Sequence, residues 1–330
     1  MFEKTMDAVS IGACNLDLIA FVSKFPEAEE KINAIESVPP KAAGVAMDAV
    51  TQMAYLGLRC GHIGKMGDDQ YSEIVKRELG GDNIDLSQSI TVPGERTSSA
   101  WVMVNPNSGE RCHIIHAMGP KGMLTEEEIS QRAEYIRSAK VCHMEMLQMP
   151  IAPMIRAAEI SRPANTVVSF DLDIAPRYLY EYGYSTPEQL KKMFSLTDVL
   201  KACKNAVPDL TDKTDLEEAA RDILKMGPKV VIITTGEKGC VVAYTDENGE
   251  VKSASVPAFT QIQIKDTTGA GDSFQGGFIY GYVKGWPVEK CAVLANACGA
   301  LKSGRIGARN MTPYKEVEAF MKQNGWTGLE

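Results

Sequence analysis

The chain has 330 residues, with 35 Lys and Arg against 43 Asp and Glu and a formal net charge of −8. Its 44% hydrophobic content is ample for a buried core and argues against disorder, while the acidic balance lacks the basic footprint of nucleic-acid binding. No apolar run approaches the roughly 18 residues that span a bilayer, and the first residues lack the basic and apolar regions of a secretory signal, so a cytoplasmic protein without membrane partners is expected.

Taken in order, residues 7–13 (DAVSIGA) read as a buried strand, and 44–57 (GVAMDAVTQMAYLG) as a helix stopped by Gly57. A strand near 60–64 and a charged helix over 69–79 follow. Further strands are predicted at 139–144, 166–170, 197–201 and 229–234, with helices at 125–136, 151–161, 187–194 and 212–226. This alternation predicts one α/β unit over residues 1–330: a mostly parallel central sheet between two helical layers. Residues 17–38 and 95–117 break the rhythm. They read as strands and turns, with residues 105–109 (NPNSG) turning between TSSAWVMV and ERCHIIH. They predict a small antiparallel sheet serving as a lid or a dimer interface; extension of the main sheet edge is the alternative.

The eight cysteines include no CxxC pair and read as reduced, mostly buried thiols. His113 and His116 fall on opposite faces of a strand, which argues against a zinc site.

The chemistry concentrates in residues 264–278 (IKDTTGAGDSFQGGF), a polar strand end, a turn of small residues and an apolar helix. Glycines at 269 and 271 around Ala270 allow consecutive amides to point outward at a helix N-terminus, which suits an anion. Asp272 in that place suits a base that deprotonates a hydroxyl while the amides hold a phosphoryl group. Neither GxxxxGK[ST] nor a GxGxxG turn after the first strand occurs, which argues against a Walker A loop and a nicotinamide-dependent dehydrogenase.

The run DTTGAGDSFQGGF resembles the C-terminal signature of the ribokinase-like (PfkB) carbohydrate kinases. The resemblance implies a three-layer α/β/α fold with a β lid, Asp272 as catalytic base, and Gly269, Ala270 and Gly271 as the anion hole. IGACNLD places Asp17 at the sugar hydroxyls, and AAGVAMDA resembles the family's Gly-Gly-x-x-x-Asn segment, with Gly44 retained and Asp48 replacing Asn. Ser99 and Trp101 of the lid are further sugar contacts by the same resemblance. FDLDIAPR is similar to a D-x-N-x-R strand end and offers Asp171 and Arg177. On the nucleotide side, TTGEKG supplies Thr235, Gly236 and Gly239, and Asn296 matches the helix beside the adenine pocket. Asn205 and Asp209 stand where an N-x-x-E motif is sought, with Asp209 as a water-mediated magnesium contact. Asp266 and Thr268 are candidate ligands for a monovalent cation.

The implied reaction is ATP- and Mg²⁺-dependent phosphorylation of an unphosphorylated, fructose- or ribose-like sugar, with K⁺ as an accessory ion. No Lys stands in the 43–48 segment to meet a substrate phosphate. A homodimer through the lid is expected. A nucleoside kinase of the same family, or a binding protein built on the kinase fold, is the alternative.

Overall fold

The structure is a computed structural model that describes residues 2–328 apart from 109 and 148. Its strands are β1 (Met6–Ile11), β2 (Asn15–Phe21), β3 (Glu36–Ser37), β4 (Lys41–Ala43), β5 (Cys60–Ile63), β6 (Lys65–Gly67), β7 (Ile90–Val92), β8 (Ser98–Val104), β9 (Arg111–His116), β10 (Ala139–Glu145), β11 (Val167–Leu172), β12 (Val199–Cys203), β13 (Val230–Thr234), β14 (Cys240–Thr245) and β15 (Val251–Val256). Eight of them form the main sheet in the order β15-β14-β13-β12-β11-β10-β1-β5. Pairing is parallel from β5 to β13 and antiparallel at the β13–β14 and β14–β15 edge.

Strand side chains alternate between faces, and here both faces are apolar. Ala8, Val141, Val199, Ile232 and Val242 belong to a core beneath the helices Val45–Tyr55, Ala270–Val283, Val288–Ser303 and Tyr314–Gln323. Val9, Cys142, Phe170, Leu200 and Val231 belong to a second core under Ile151–Ser161, Pro187–Leu196 and Leu216–Leu224. The result is the expected three-layer sandwich. A fully buried side chain such as Phe170 contributes about 1.5–3 kcal/mol of transfer free energy to it.

Local chemistry adjusts several expected boundaries. The helix expected over 125–136 divides into Glu126–Gln131 and Ala133–Arg137, because Arg132 leaves the helical conformation. Its guanidinium donates to the carbonyls of Gln88 at 2.6 Å and Glu128 at 2.8 Å. The next expected boundary moves from 212 to Leu216, since the Asp215 carboxylate accepts from the Glu217 and Glu218 amides and caps the helix there.

A second sheet has the order β3-β2-β8-β9, with β4 also on β2. Its pairings with β3, β4 and between β8 and β9 are antiparallel, as expected of the lid, whereas β2 and β8 run parallel. A parallel pair needs a crossover. Here the intervening chain supplies it by passing through the main body as the Val45–Tyr55 helix, β5 and the Gln70–Gly81 helix before returning. In the 105–109 turn, the Asn105 carboxamide oxygen accepts from the Asn107 and Ser108 amides; position 109 lies outside the described residues. No helix among the described residues is long and apolar enough to cross a membrane.

Candidate active site

Parallel α/β sheets offer ligand crevices at the carboxyl ends of their strands. A cavity of about 430 Å³ lies there, under the inner face of the second sheet. Glu145 ends β10, Asp173 follows β11, and Gly44 and Asp48 come from the start of the Val45–Tyr55 helix. The second sheet contributes Asn15, Asp17, Ala100, Arg111, His113 and Ile115, all on one face by strand alternation.

The 266–272 turn forms the wall of this cavity. The Asp266 carboxylate organises it, accepting from the Thr268 amide at 2.9 Å, the Thr268 hydroxyl at 2.6 Å and the Gly307 amide at 2.9 Å. Gly269 has φ +77°, and a Cβ there would stand 2.2 Å from the Ala308 carbonyl oxygen, so the turn needs glycine on both counts. The Ala270 amide donates back to the Thr267 carbonyl at 3.2 Å and the Ser273 amide to Gly269 at 2.9 Å. Among the described residues, the Gly271 and Asp272 amides have no such acceptor. Of the three amides expected in the anion hole, those of Gly269 and Gly271 have no such acceptor among the described residues, whereas Ala270 spends its N–H closing the turn; Asp272 adds a further free amide.

Behind this turn lies a second cavity of about 470 Å³. Thr267 and Gly271 line both cavities, Asp272 lines the first, and Ala270 and Phe274 line the second. The second cavity is bounded by Gly236, Glu237 and Gly239 on one side and by Phe259, Ile262, Ile264, Asn296 and Ala300 on the other. Thr235 closes the Gly236–Lys238 turn, its amide and hydroxyl both donating to the Gly239 carbonyl at 2.8 Å. Gly239 at φ +95° lies so close to Val256 that a Cβ would meet its carbonyl oxygen at 2.1 Å. Asn296 braces the same wall by donating to the Val256 and Pro257 carbonyls, each at 3.1 Å. This pocket is apolar on one side and backbone-lined on the other, which fits a flat heteroaromatic base with a phosphate chain leading to the Gly271 amide.

The first cavity is crowded with carboxylates. Burial, then Asp48 and Asp173, hold the Asp272 carboxyl well above its ordinary range. Burial and the neighbouring Asp17 push Asp48 up to about 8, and burial and Asp266 push Asp17 up to about 6. Glu145 is pushed up to about 7 by burial, despite accepting from the Ala13 amide at 3.3 Å and the Leu147 amide at 2.6 Å. Asp48 accepts the Gly44 amide on Oδ2 at 3.4 Å, and its Oδ1 is buried without a partner, an acceptor aimed at what the cavity binds. Opposing charge comes from Lys201, fully buried, with Asp171 at 2.7 Å and Asp173 at 3.6 Å. A Cβ on Gly271 would stand 3.5 Å from its Nζ, so this ammonium lies directly beneath the turn. Burial works against its charge, but Asp171, Asp173 and Asp272 raise its pKa above the usual lysine range.

Asp17, Gly44, Asp48, Thr268, Gly269, Gly271 and Asp272 thus converge on the first cavity, and Gly236, Gly239, Ala270 and Asn296 on the second. Other expected residues do not. Trp101 is 58% exposed on the outer face of the second sheet, and Ser99, two residues before it, shares that phase and pairs with Leu16 and His116. Asp171 serves Lys201 beneath the turn rather than the cavity. Arg177 and Asp209 are committed to each other at 2.5 Å, and Asn205 is exposed in the Lys204–Ala206 turn. Neither Asn205 nor Asp209 lines either cavity. Glu145, Arg111 and Lys201 were missed as site residues, and Asp173 stood only as the replacement for Asn in the D-x-N-x-R strand end; Lys201 carries a sequence signal, an ionisable side chain set in an otherwise apolar strand.

A profile of the pfkB family carbohydrate kinases matches residues 6–315, so the chain belongs to that family. It is 27% identical to the 5-dehydro-2-deoxygluconokinase of Geobacillus kaustophilus, over 98% of this chain and 95% of the relative. It is 29% identical to probable fructokinase-2 of Arabidopsis thaliana, over 84% and 86%. Among solved structures, a protein of E. coli described as a ribokinase II, in complex with ATP and Mg²⁺, superposes at TM-score 0.82 with 24% identity, over 96% of this chain and 99% of that one. The Arabidopsis ribokinase complexed with ribose and ATP gives 0.77 and 23%, with the same coverage. The fold is that of the ribokinases, and the chain is a carbohydrate kinase.

Proposed function

We propose that this chain, working as one catalytic unit, transfers the γ-phosphoryl group of ATP to a hydroxyl of a small, neutral, unphosphorylated sugar. The observation that carries the reading is the 266–272 turn as the shared wall of two cavities, with free amides at Gly271 and Asp272 and the Asp272 carboxylate on the sugar side. The sugar hydroxyl oxygen forms the new bond to the γ-phosphorus, the bond from that phosphorus to the β–γ bridging oxygen breaks, and Asp272 takes the hydroxyl proton. The product pair is sugar phosphate and ADP. A base with a raised pKa is matched to a hydroxyl near neutral pH. The Gly271 and Asp272 amides and the Lys201 ammonium below them meet the charge on the transferring group.

Mg²⁺, bound with the nucleotide, supplies further charge compensation at the phosphate oxygens. Asp173, partly exposed at the cavity wall beside Lys201, is a hard oxygen donor that would hold that ion, directly or through water. Asp209, tied to Arg177 outside the cavity, is not.

The cavity's charge argues for a neutral acceptor. Asp17, Asp48, Glu145, Asp173 and Asp272 face it against Arg111 and His113. The Arg111 guanidinium is already engaged by Thr267 at 3.1 Å, by Thr268 and by Asp266 at 3.7 Å. With the Arg111 guanidinium so committed, a phosphate or carboxylate on the sugar would find little compensating charge in a poorly solvated space, whereas hydroxyls can hydrogen-bond to Asp17, Asp48 and Glu145 whether these are protonated or not. The second sheet would act as the lid, excluding water that would otherwise accept the phosphoryl group. The outer lid face, with Leu18 and the exposed Trp101 and Ile114 in one row, supports pairing of two copies lid to lid.

The test is ADP release with Mg-ATP against fructose, ribose, 5-dehydro-2-deoxygluconate, sugar monophosphates and nucleosides, with thermal shifts on the same panel. Turnover with a neutral ketose or aldose is expected; turnover confined to an anionic sugar would contradict the substrate class. Stabilisation without any turnover would contradict the kinase reading.

A further inference from the structure

Lys201 and Lys302 are both fully buried. Lys201 is matched by carboxylates, but the Lys302 ammonium donates instead to a neutral group, the Arg305 carbonyl, at 3.1 Å. An ammonium has three donors and is costly to bury on one such bond. Its compensation comes from its position. It sits in the last turn of the Val288–Ser303 helix, where the helix dipole favours a cation. Burial lowers its pKa from the ordinary lysine range, and Asp266, Asp48 and Asp272 act against that from the site side, favouring its charge.

The carbonyl it holds belongs to the 303–308 turn, which is the underside of the phosphoryl-binding turn. The Ser303 carbonyl accepts from the Lys265 and Asp266 amides at 2.8 and 3.1 Å, the Gly307 amide donates to Asp266 at 2.9 Å, and Gly269 seats against the Ala308 carbonyl. Meanwhile the Asp266 carboxylate, considered above for an exchangeable cation, is already taken by Thr268, Gly307 and the Arg111 guanidinium.

We propose that the Lys302 ammonium is a built-in cation of this site: a positioning residue that locks the 303–308 turn beneath the 266–271 turn and offsets the carboxylates around Asp272, so that no exchangeable monovalent ion is needed. Its effect on turnover rests on the kinase reading; its effect on the two turns does not.

The experiment compares K⁺ with tetramethylammonium at equal ionic strength, in the intact protein and in Lys302→Met, which keeps the bulk and loses the charge. Wild-type kcat should differ by less than about twofold between the salts, while Lys302→Met should lose about 10²-fold or more and recover at least about tenfold in K⁺ or NH₄⁺. In parallel, the unfolding midpoint of the wild type should ignore the exchange, whereas that of Lys302→Met should rise in K⁺. Strong K⁺ dependence of wild-type kcat or midpoint would overturn the proposal, as would a Lys302→Met protein with wild-type kcat in tetramethylammonium. Should the methionine variant fail to fold, Lys302→Arg must retain a salt-independent midpoint, and a K⁺-stabilised arginine variant would count against the proposal. If no sugar is phosphorylated, the midpoints still decide it, and the kinase reading fails separately.

Discussion

Asp272 and Asp48 are both buried with raised pKa values, and Asp48 is one of the charges that raise Asp272, so the proposed base and the proposed hydroxyl acceptor work under a linked electrostatic constraint. A base works ionised, and burial together with Asp48 and Asp173 raises the folded pKa of Asp272, so kcat should climb with pH through a range where an ordinary Asp is already charged. Asp48→Asn removes one of the charges that raise it. The ascending limb of the kcat–pH profile should therefore move to lower pH while KM for the sugar rises; a limb that stays put or moves up would separate the two residues. At this scale the sequence was partly legible. The acidic and glycine positions of the turn and of the 44–48 segment could be read because their chemistry is local. Trp101 could not, because which face a strand residue takes depends on register: Asp17 and Ala100 share a row on the cavity side, which turns Leu18 and Trp101 outward. Arg177 and Asp209 illustrate a second limit, since their mutual bond joins elements 32 positions apart.

The 266–272 turn is an element whose shape is set from outside itself. Its glycine at 269 is required by the left-handed φ and by the Ala308 carbonyl beneath it, a contact 39 residues away that spacing alone does not reveal. Gly269→Ala should destabilise the fold by about 1–3 kcal/mol and lower turnover more than it raises KM for ATP, measured by calorimetric unfolding and steady-state kinetics. Unchanged stability would mean that the turn adapts freely and does not preorganise the amides. The main strands and helices were legible because their apolar periodicity is strong, as in Val230–Thr234 and Ile151–Ser161. The antiparallel edge strand Val251–Val256 was not, since its VKSASV pattern is polar and mostly solvent-facing. The strand Val199–Cys203 ends at Cys203, beside Lys201 and Asp173, whereas the metal-shell motif was sought further along at Asn205.

The molecule joins a three-layer sandwich to a thin second sheet, and the two ask for different things. The sandwich buries apolar side chains on both faces of its sheet, while the second sheet turns one face toward the first cavity and leaves Trp101 and Ile114 open to solvent on the other. Two copies joined through that face would remove the patch from water. Trp101→Glu should weaken such a dimer by at least about 30-fold, the loss of one roughly 2 kcal/mol hot spot, read by sedimentation equilibrium; a wild type that stays monomeric at all concentrations would remove the interface. The proposed role of Asp272 as base is tested most directly by Asp272→Asn, with ATP and sugar binding measured by calorimetry beside ADP release. Binding of both ligands within a few-fold of wild type, with turnover lowered by about 10²–10⁴-fold, is the expected result. Wild-type turnover in that variant would contradict it.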